Sequence, residues 1–145
     1  MVRPTQADIA YAAGFVDGEG TIRVERAYGP SPGRLYRAYV EVSQVTPGPL
    51  NMMMDRWGGH LYLRPRKNPN HRPIFRWQIA DRKAIDFVTE LRPYLIVKAA
   101  QADVLIALGE IKRANAARRP YTAEELANQA ALYLRATELN RRGAF

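Results

Sequence analysis

The chain has 145 residues, 47% of them apolar and 25% charged, with eight Tyr, four Phe, two Trp, no cysteine and a formal net charge of +8. That length suits one domain across residues 1–145, and so many aromatics argue against a disordered chain. The missing cysteines exclude a disulfide framework, thiolate chemistry and a cysteine-built zinc site, while the longest apolar run falls well short of the roughly 20 residues that span a bilayer.

The charge is unevenly placed. Residues 1–22 carry a net −2, residues 77–145 a net +3, and residues 23–76, with nine Arg and one Lys against Glu25, Glu41 and Asp55, a net +7. Tyr28, Tyr36, Tyr39 and Tyr62 are interleaved with those cations. A polyanion is the natural partner of such a segment; the alternative is the solubilising surface of a chain in which Arg outnumbers Lys 18 to 4.

In chain order, Thr5 and Asp8 form a capping box that starts a helix running to about Asp17. Ala10, Gly14 and Gly18 recur every fourth residue, leaving one face of that helix almost bare and open to another backbone. The apolar stretch from Ile9 to Val16, behind Arg3, follows Asp8 and runs directly into Asp17-Gly18-Glu19, which suits no export core; a cytoplasmic protein, nucleoid-associated, or an organellar one is expected.

Residues 21–28 alternate, with Ile22 and Val24 opposite Arg23 and Glu25. Gly29-Pro30-Ser31-Pro32-Gly33 reads as a turn, and residues 35–44 alternate again, with Ala38, Val40 and Val42 opposite Arg37, Tyr39, Glu41 and Ser43. A Met-rich helix over Pro49–Arg56, whose Met52, Met53 and Met54 are core and linker filling, stops at Gly58-Gly59. In a second ribbon Leu61 and Leu63 face inward opposite Tyr62, Arg64 and Arg66, and Phe75, Trp77 and Ile79 face inward opposite Arg76 and Gln78. Asp81 caps the next helix, Pro93 starts another, and after a basic linker Thr122 and Glu125 cap a last helix ending near Gly143. The class is α+β: an antiparallel four-stranded sheet covered by helices on one face. The open face, rich in Arg and Tyr, suits a nucleic-acid saddle whose strands enter a groove.

Residues 11–20 read Tyr-Ala-Ala-Gly-Phe-Val-Asp-Gly-Glu-Gly. Over Ala12–Gly20 they resemble the signature of the LAGLIDADG homing endonucleases, departing mainly at Ala12, where that family usually has Leu. Val42-Ser43-Gln44 is similar to the family's Val/Ile-x-Gln strand end. Tyr62-Leu63-Arg64-Pro65-Arg66 is similar to the DNA-reading third strand of its single-motif members. Leu91-Arg92-Pro93-Tyr94-Leu95-Ile96-Val97-Lys98, with Gln101-Ala102 after it, resembles the segment that delivers their active-site lysine. The resemblance runs in order over roughly residues 8–140.

It implies an αββαββα saddle fold and a metal-dependent, site-specific endonuclease, intron-encoded as many of its relatives are, that leaves short 3′ overhangs on double-stranded DNA. Glu19, Gln44 and Lys98 would be catalytic. Glu19 and the Gly18 carbonyl would hold Mg2+, hard oxygen donors for a hard cation. Asp17 would stabilise the turn and not bind metal. No organic cofactor and no membrane are implied.

One motif calls for two chains, since cutting both strands takes two active sites. A homodimer packed through Ala10, Gly14 and Gly18 would then bind a long pseudo-palindrome. Arg23, Arg37, Arg64, Arg66 and Arg76 are candidates for guanine and Gln78 for adenine, with Tyr39, Ser43 and Tyr62 beside them. Glu25 and Glu41, acids on a basic face, point to cytosine or to orienting a neighbouring Arg. Arg118, Arg119, Arg141 and Arg142 are assigned to backbone or solvent. The alternative is a non-cleaving relative, a repressor or an RNA-splicing maturase, which need not keep the Glu19/Gln44/Lys98 set.

Overall fold

The Thr5 hydroxyl accepts from the Asp8 N–H at 3.1 Å, and the Asp8 carboxylate accepts from the Thr5 N–H at 2.9 Å, closing the expected capping box. From it α1 runs over Gln6–Glu19. Asp8 also accepts from Arg56 Nε at 3.0 Å, which ties this helix start to α2 (Gly48–Trp57). The computed structural model describes residues 2–27, 35–115 and 119–141. Tyr28, the turn expected at 29–33, Arg118 and Arg142 lie outside the described residues.

The chain passes from α1 straight into β1 (Gly20–Arg26) because Gly20 has no side chain: a Cβ there would lie 2.9 Å from the Val16 carbonyl oxygen. β2 (Tyr36–Gln44) pairs antiparallel to β1, with Gly20 opposite Val42 and Glu25 opposite Arg37. After α2 come β3 (His60–Arg64) and β4 (Ile74–Ala80), then α3 (Asp81–Leu91), a single 3-10 turn at Arg92–Tyr94, α4 (Ala99–Ala114) and α5 (Ala123–Leu139). The strand order is β1-β2-β4-β3, every pair antiparallel, so both expected ribbons form and β2 joins β4 between them. Among the described residues no helix is long and apolar enough to cross a membrane.

Period-two alternation gives the sheet its two faces. Ile22, Val24, Ala38, Val40, Val42, Trp77 and Ile79 are buried against Ala12, Ala13 and Val16 of α1, Phe87 and Val88 of α3, and Leu105 and Leu108 of α4. Each such large side chain contributes about 1.5–3 kcal/mol on burial. Trp77 sits edge-on to Phe87, with ring centroids 5.1 Å apart, and donates its indole N–H to the Gly58 carbonyl at 2.9 Å. That bond lies beside Gly59, whose φ of +90° and missing side chain let β3 start against β4: a Cβ there would fall 2.4 Å from the Gln78 carbonyl oxygen. At the other edge Asn140, just past α5, donates to the Ile22 carbonyl at 2.7 Å and occupies an outward group of β1.

Several local expectations yield to tertiary contacts. Leu63, expected to face inward, is 56% exposed, although its strand partner Phe75 is half-buried and packs against the core. β3 ends at Arg64, leaving Arg66 in the following loop. Asp81 does not cap α3; Ala80 holds the cap position, while the Asp81 carboxylate takes both arms of the Arg37 guanidinium at 3.1 and 3.0 Å with φ at 57°. Pro93 starts only the 3-10 turn, and α4 begins after Lys98. The last helix ends at Leu139 rather than near Gly143.

Candidate active site and nucleic-acid interface

The last intrahelical bond of α1 runs from the Gly20 N–H to the Val16 carbonyl, so the Asp17 and Gly18 carbonyls have no partner within the helix. They sit at the negative end of the helix dipole, where a cation is favoured. Lys98 supplies one: its Nζ donates to the Asp17 carbonyl at 2.7 Å. The carboxylate of the same Asp17 accepts from the Ile96 N–H at 2.8 Å and from the Lys98 N–H at 2.9 Å. Two backbone bonds and one ammonium bond thus pin the 96–98 segment to the end of α1. The bend at 96–98 is thereby held against α1 before α4 begins.

Glu19, one residue on from Gly18, is exposed and enters no ion pair among the described residues. Gln44 reaches the same end of the sheet, because it lies two residues beyond Val42, the partner of Gly20. Its Oε1 accepts from the Val45 N–H at 2.8 Å, which leaves the amide NH2 as its group on offer. The three residues named as catalytic therefore converge at one end of α1. As a metal site, the Glu19 carboxylate and Gly18 carbonyl are hard oxygen donors. Among the described residues no group of three or more His, Asp or Glu is gathered. Oxygen donors of this kind fit a hard cation such as Mg2+, which keeps several waters and is usually held by one or two carboxylates.

The open sheet face continues from this point. Arg23 lies over the Tyr39 ring, 4.1 Å from its centroid, and donates to Glu25 at 3.0 Å. The Tyr39 hydroxyl donates to Glu41 at 3.2 Å; burial first, then Glu41, pushes its pKa up to about 12. Tyr39 is only 8% exposed, so its ring has little surface to offer a ligand. Arg37 is taken up by Asp81, whereas Ser43 and Gln78 are half-buried and Tyr62, opposite Arg76, is 48% exposed. At the β3–β4 end, Ser43, Arg64, Arg66, Lys67, His71 and Arg76 line an open concavity of about 520 Å3 with no acid among its lining residues.

Similar folds occur among solved structures. Over 95% of this chain and 85% of the other, the homing endonuclease I-CvuI, solved with its target in the presence of Ca, superposes with a TM-score of 0.72 at 22% identity. The archaeal intron-encoded homing endonuclease I-Vdi141I, solved with DNA, gives 0.71 at 18% identity over 94% and 86% of the two chains. I-SmaMI, a LAGLIDADG homing endonuclease bound to cleaved DNA, gives 0.66 at 15% identity, over 92% of this chain but 45% of its own. The chain has the LAGLIDADG homing endonuclease fold. No protein-family model and no curated protein sequence matches it.

Within that LAGLIDADG fold the motif residues divide by face. Ala12, Ala13 and Val16 are fully buried under the sheet, while Ala10, Gly14 and Gly18 are exposed. A Cβ added at Gly14 or Gly18 would meet nothing within 4 Å, so the bare stripe is not filled from within the chain. Exposed Tyr11 adjoins the stripe along the helix, and exposed Ile96 and Val97 lie at its Asp17 end. Lys67 and His71 of the concavity escaped the sequence reading; their signal was a basic, Pro- and Asn-containing loop between two alternating strands. Arg119 and Arg141, assigned to backbone or solvent, are exposed, and Arg119 pairs with Glu125 at 2.7 Å.

Proposed function

We propose that two copies of this chain form a site-specific DNA endonuclease that lays two joined sheets along a pseudo-palindromic duplex and hydrolyses one phosphodiester in each strand. The observation that carries the reading is the meeting of Glu19, the Gly18 carbonyl and Lys98 at the end of α1, beside an open Arg-rich sheet. Mg2+ bound there would supply an activated water and offset the charge developing on the phosphate. Glu19 and the Gly18 carbonyl would hold the cation. Lys98 Nζ would turn from the Asp17 carbonyl towards a phosphate oxygen, while Gln44 would orient water through its free amide. Arg64, Arg66 and Lys67 would grip backbone phosphates, which fix register without carrying sequence.

The homodimer is supported by the bare α1 face, which no atom of the chain itself fills at Gly14 or Gly18. Two copies carry twice the +8 of one, in keeping with a polyanionic partner. Incubation with a randomised duplex library and Mg2+, followed by sequencing of cut ends, tests the reading. Wild type should cut at one long motif; Glu19→Gln should bind that motif and leave it intact. Lys98→Ala should slow cutting by about 10²–10³-fold, the usual effect of losing one transition-state donor. Binding without cutting by the wild type would sink the nuclease and leave a non-cleaving binder.

A further inference from the structure

The open sheet face carries an acid at its centre. Glu41 stands on β2, between β1 and β4, with Thr21 and Gln78 as its direct partners. Arg23 pairs with Tyr39, two residues before it, and Arg76 with Ser43, two residues after it, so the two arginines lie on opposite diagonals of Glu41. Long side chains reach across such diagonals. Arg23 Nη1 is 3.9 Å from Glu41 Oε2, Arg76 Nε is 3.8 Å from Oε1, and the Tyr39 hydroxyl bonds Oε2. The Glu41 side chain is only 18% exposed, against 37% for Arg23 and 27% for Arg76. Both carboxylate oxygens therefore face cations or the buried phenol, and the surface left to a ligand belongs to the arginines. Arg76 Nε is buried with no hydrogen bond among the described residues, and the Glu41 carboxylate lies 3.8 Å from it.

We propose that Glu41 is a positioning residue of the recognition face: it sets the reach of Arg23 and Arg76 together, so that the two base pairs they read are coupled and neither is read by Glu41 itself. This rests on the open sheet being the DNA-binding face. Glu25, which among the described residues accepts a hydrogen bond from Arg23 and stands across from Arg37, away from Arg76, serves as the built-in contrast.

The test is a bind-and-sequence selection on randomised duplexes in EDTA, where bound DNA is recovered uncut. Arg23→Ala and Arg76→Ala first locate the base pair each arginine reads. Glu41→Gln should flatten preference about tenfold at both of those positions, the scale of one lost bidentate contact, with affinity for unrelated duplex unchanged or tighter because a negative charge is gone. Glu25→Gln should flatten only the Arg23 position. Glu41→Asp, which keeps the charge but is one methylene shorter, should repeat the two-position loss, so that poor folding of one variant does not decide the matter. An unchanged motif with Glu41→Gln, or a loss at a single cytosine, would overturn the positioning role while leaving DNA binding intact. A wild type that enriches no motif would overturn the DNA-binding reading and this proposal with it.

Discussion

Asp17 accepts two backbone N–H groups from a loop far along the chain, and its own carbonyl takes the Lys98 ammonium. One side chain and one carbonyl thereby convert a helix end into a seat for a cation-bearing loop. Glu125 shows the same economy near the other terminus: its carboxylate accepts from Arg119 and from the Thr122 N–H, which hold its pKa down to about 2 against 4.5 for an unpaired glutamate. A folded pKa below the unfolded one stabilises the fold above the unfolded value, and that contribution is lost as pH falls through the folded one. The protection of the amides in the first turn of α5, taken against the intrinsic exchange rate at each pH, should therefore fall between about pH 4.5 and 2, and Glu125→Gln should remove that dependence. A variant that keeps the same acid profile would show that the box is not the source.

At the scale of elements, α1 is the informative piece. One side is fully buried against the sheet, and the opposite stripe of Ala10, Gly14 and Gly18 faces open space. Two glycines on an exposed helix face lower helix stability by roughly 1 kcal/mol each relative to alanine, a cost that close approach of a second helix would offset. Gly14→Leu should leave the melting temperature of the single chain unchanged or slightly raised, since no atom lies in the way of the new side chain. In sedimentation the wild type should run as the proposed dimer, and the same variant at equal concentration as a monomer. A Gly14→Leu chain that still dimerises would place the interface elsewhere.

At the scale of the molecule, Arg23 and Arg76 on the open sheet face and Arg64, Arg66 and Lys67 at its β3–β4 end gather much of the positive charge of residues 23–76 on one side. The internal acids there, Glu25 and Glu41, are spent on neighbouring arginines, so the outward field stays positive. DNA binding should then weaken linearly in log affinity against log salt, with a slope near −0.9 per phosphate neutralised. Arg64→Ala, in the basic concavity, should reduce that slope by about one per copy while shifting base preference little. An unchanged slope would remove Arg64 from the phosphate contacts.

The sequence by itself determined what depends on neighbours along the chain. Both capping boxes, the period-two faces of β1, β2 and β4, the Gly58-Gly59 stop and the motif at the end of α1 are local signals, and each stands in the structure where the sequence placed it. What only the tertiary structure decided depends on residues far apart. The order β1-β2-β4-β3 places Glu41 between two arginines of different strands. Asp81 leaves its expected cap position and takes both arms of the Arg37 guanidinium from β2, a partner 44 residues away. The 96–98 bend sits at the end of α1 because the Asp17 carboxylate takes the Ile96 and Lys98 N–H groups, and Leu63 stays exposed although its strand partner Phe75 packs against the core. Hydrophobic alternation says which face of a strand is apolar; only packing says how far the cover extends and which charges meet on the face left open.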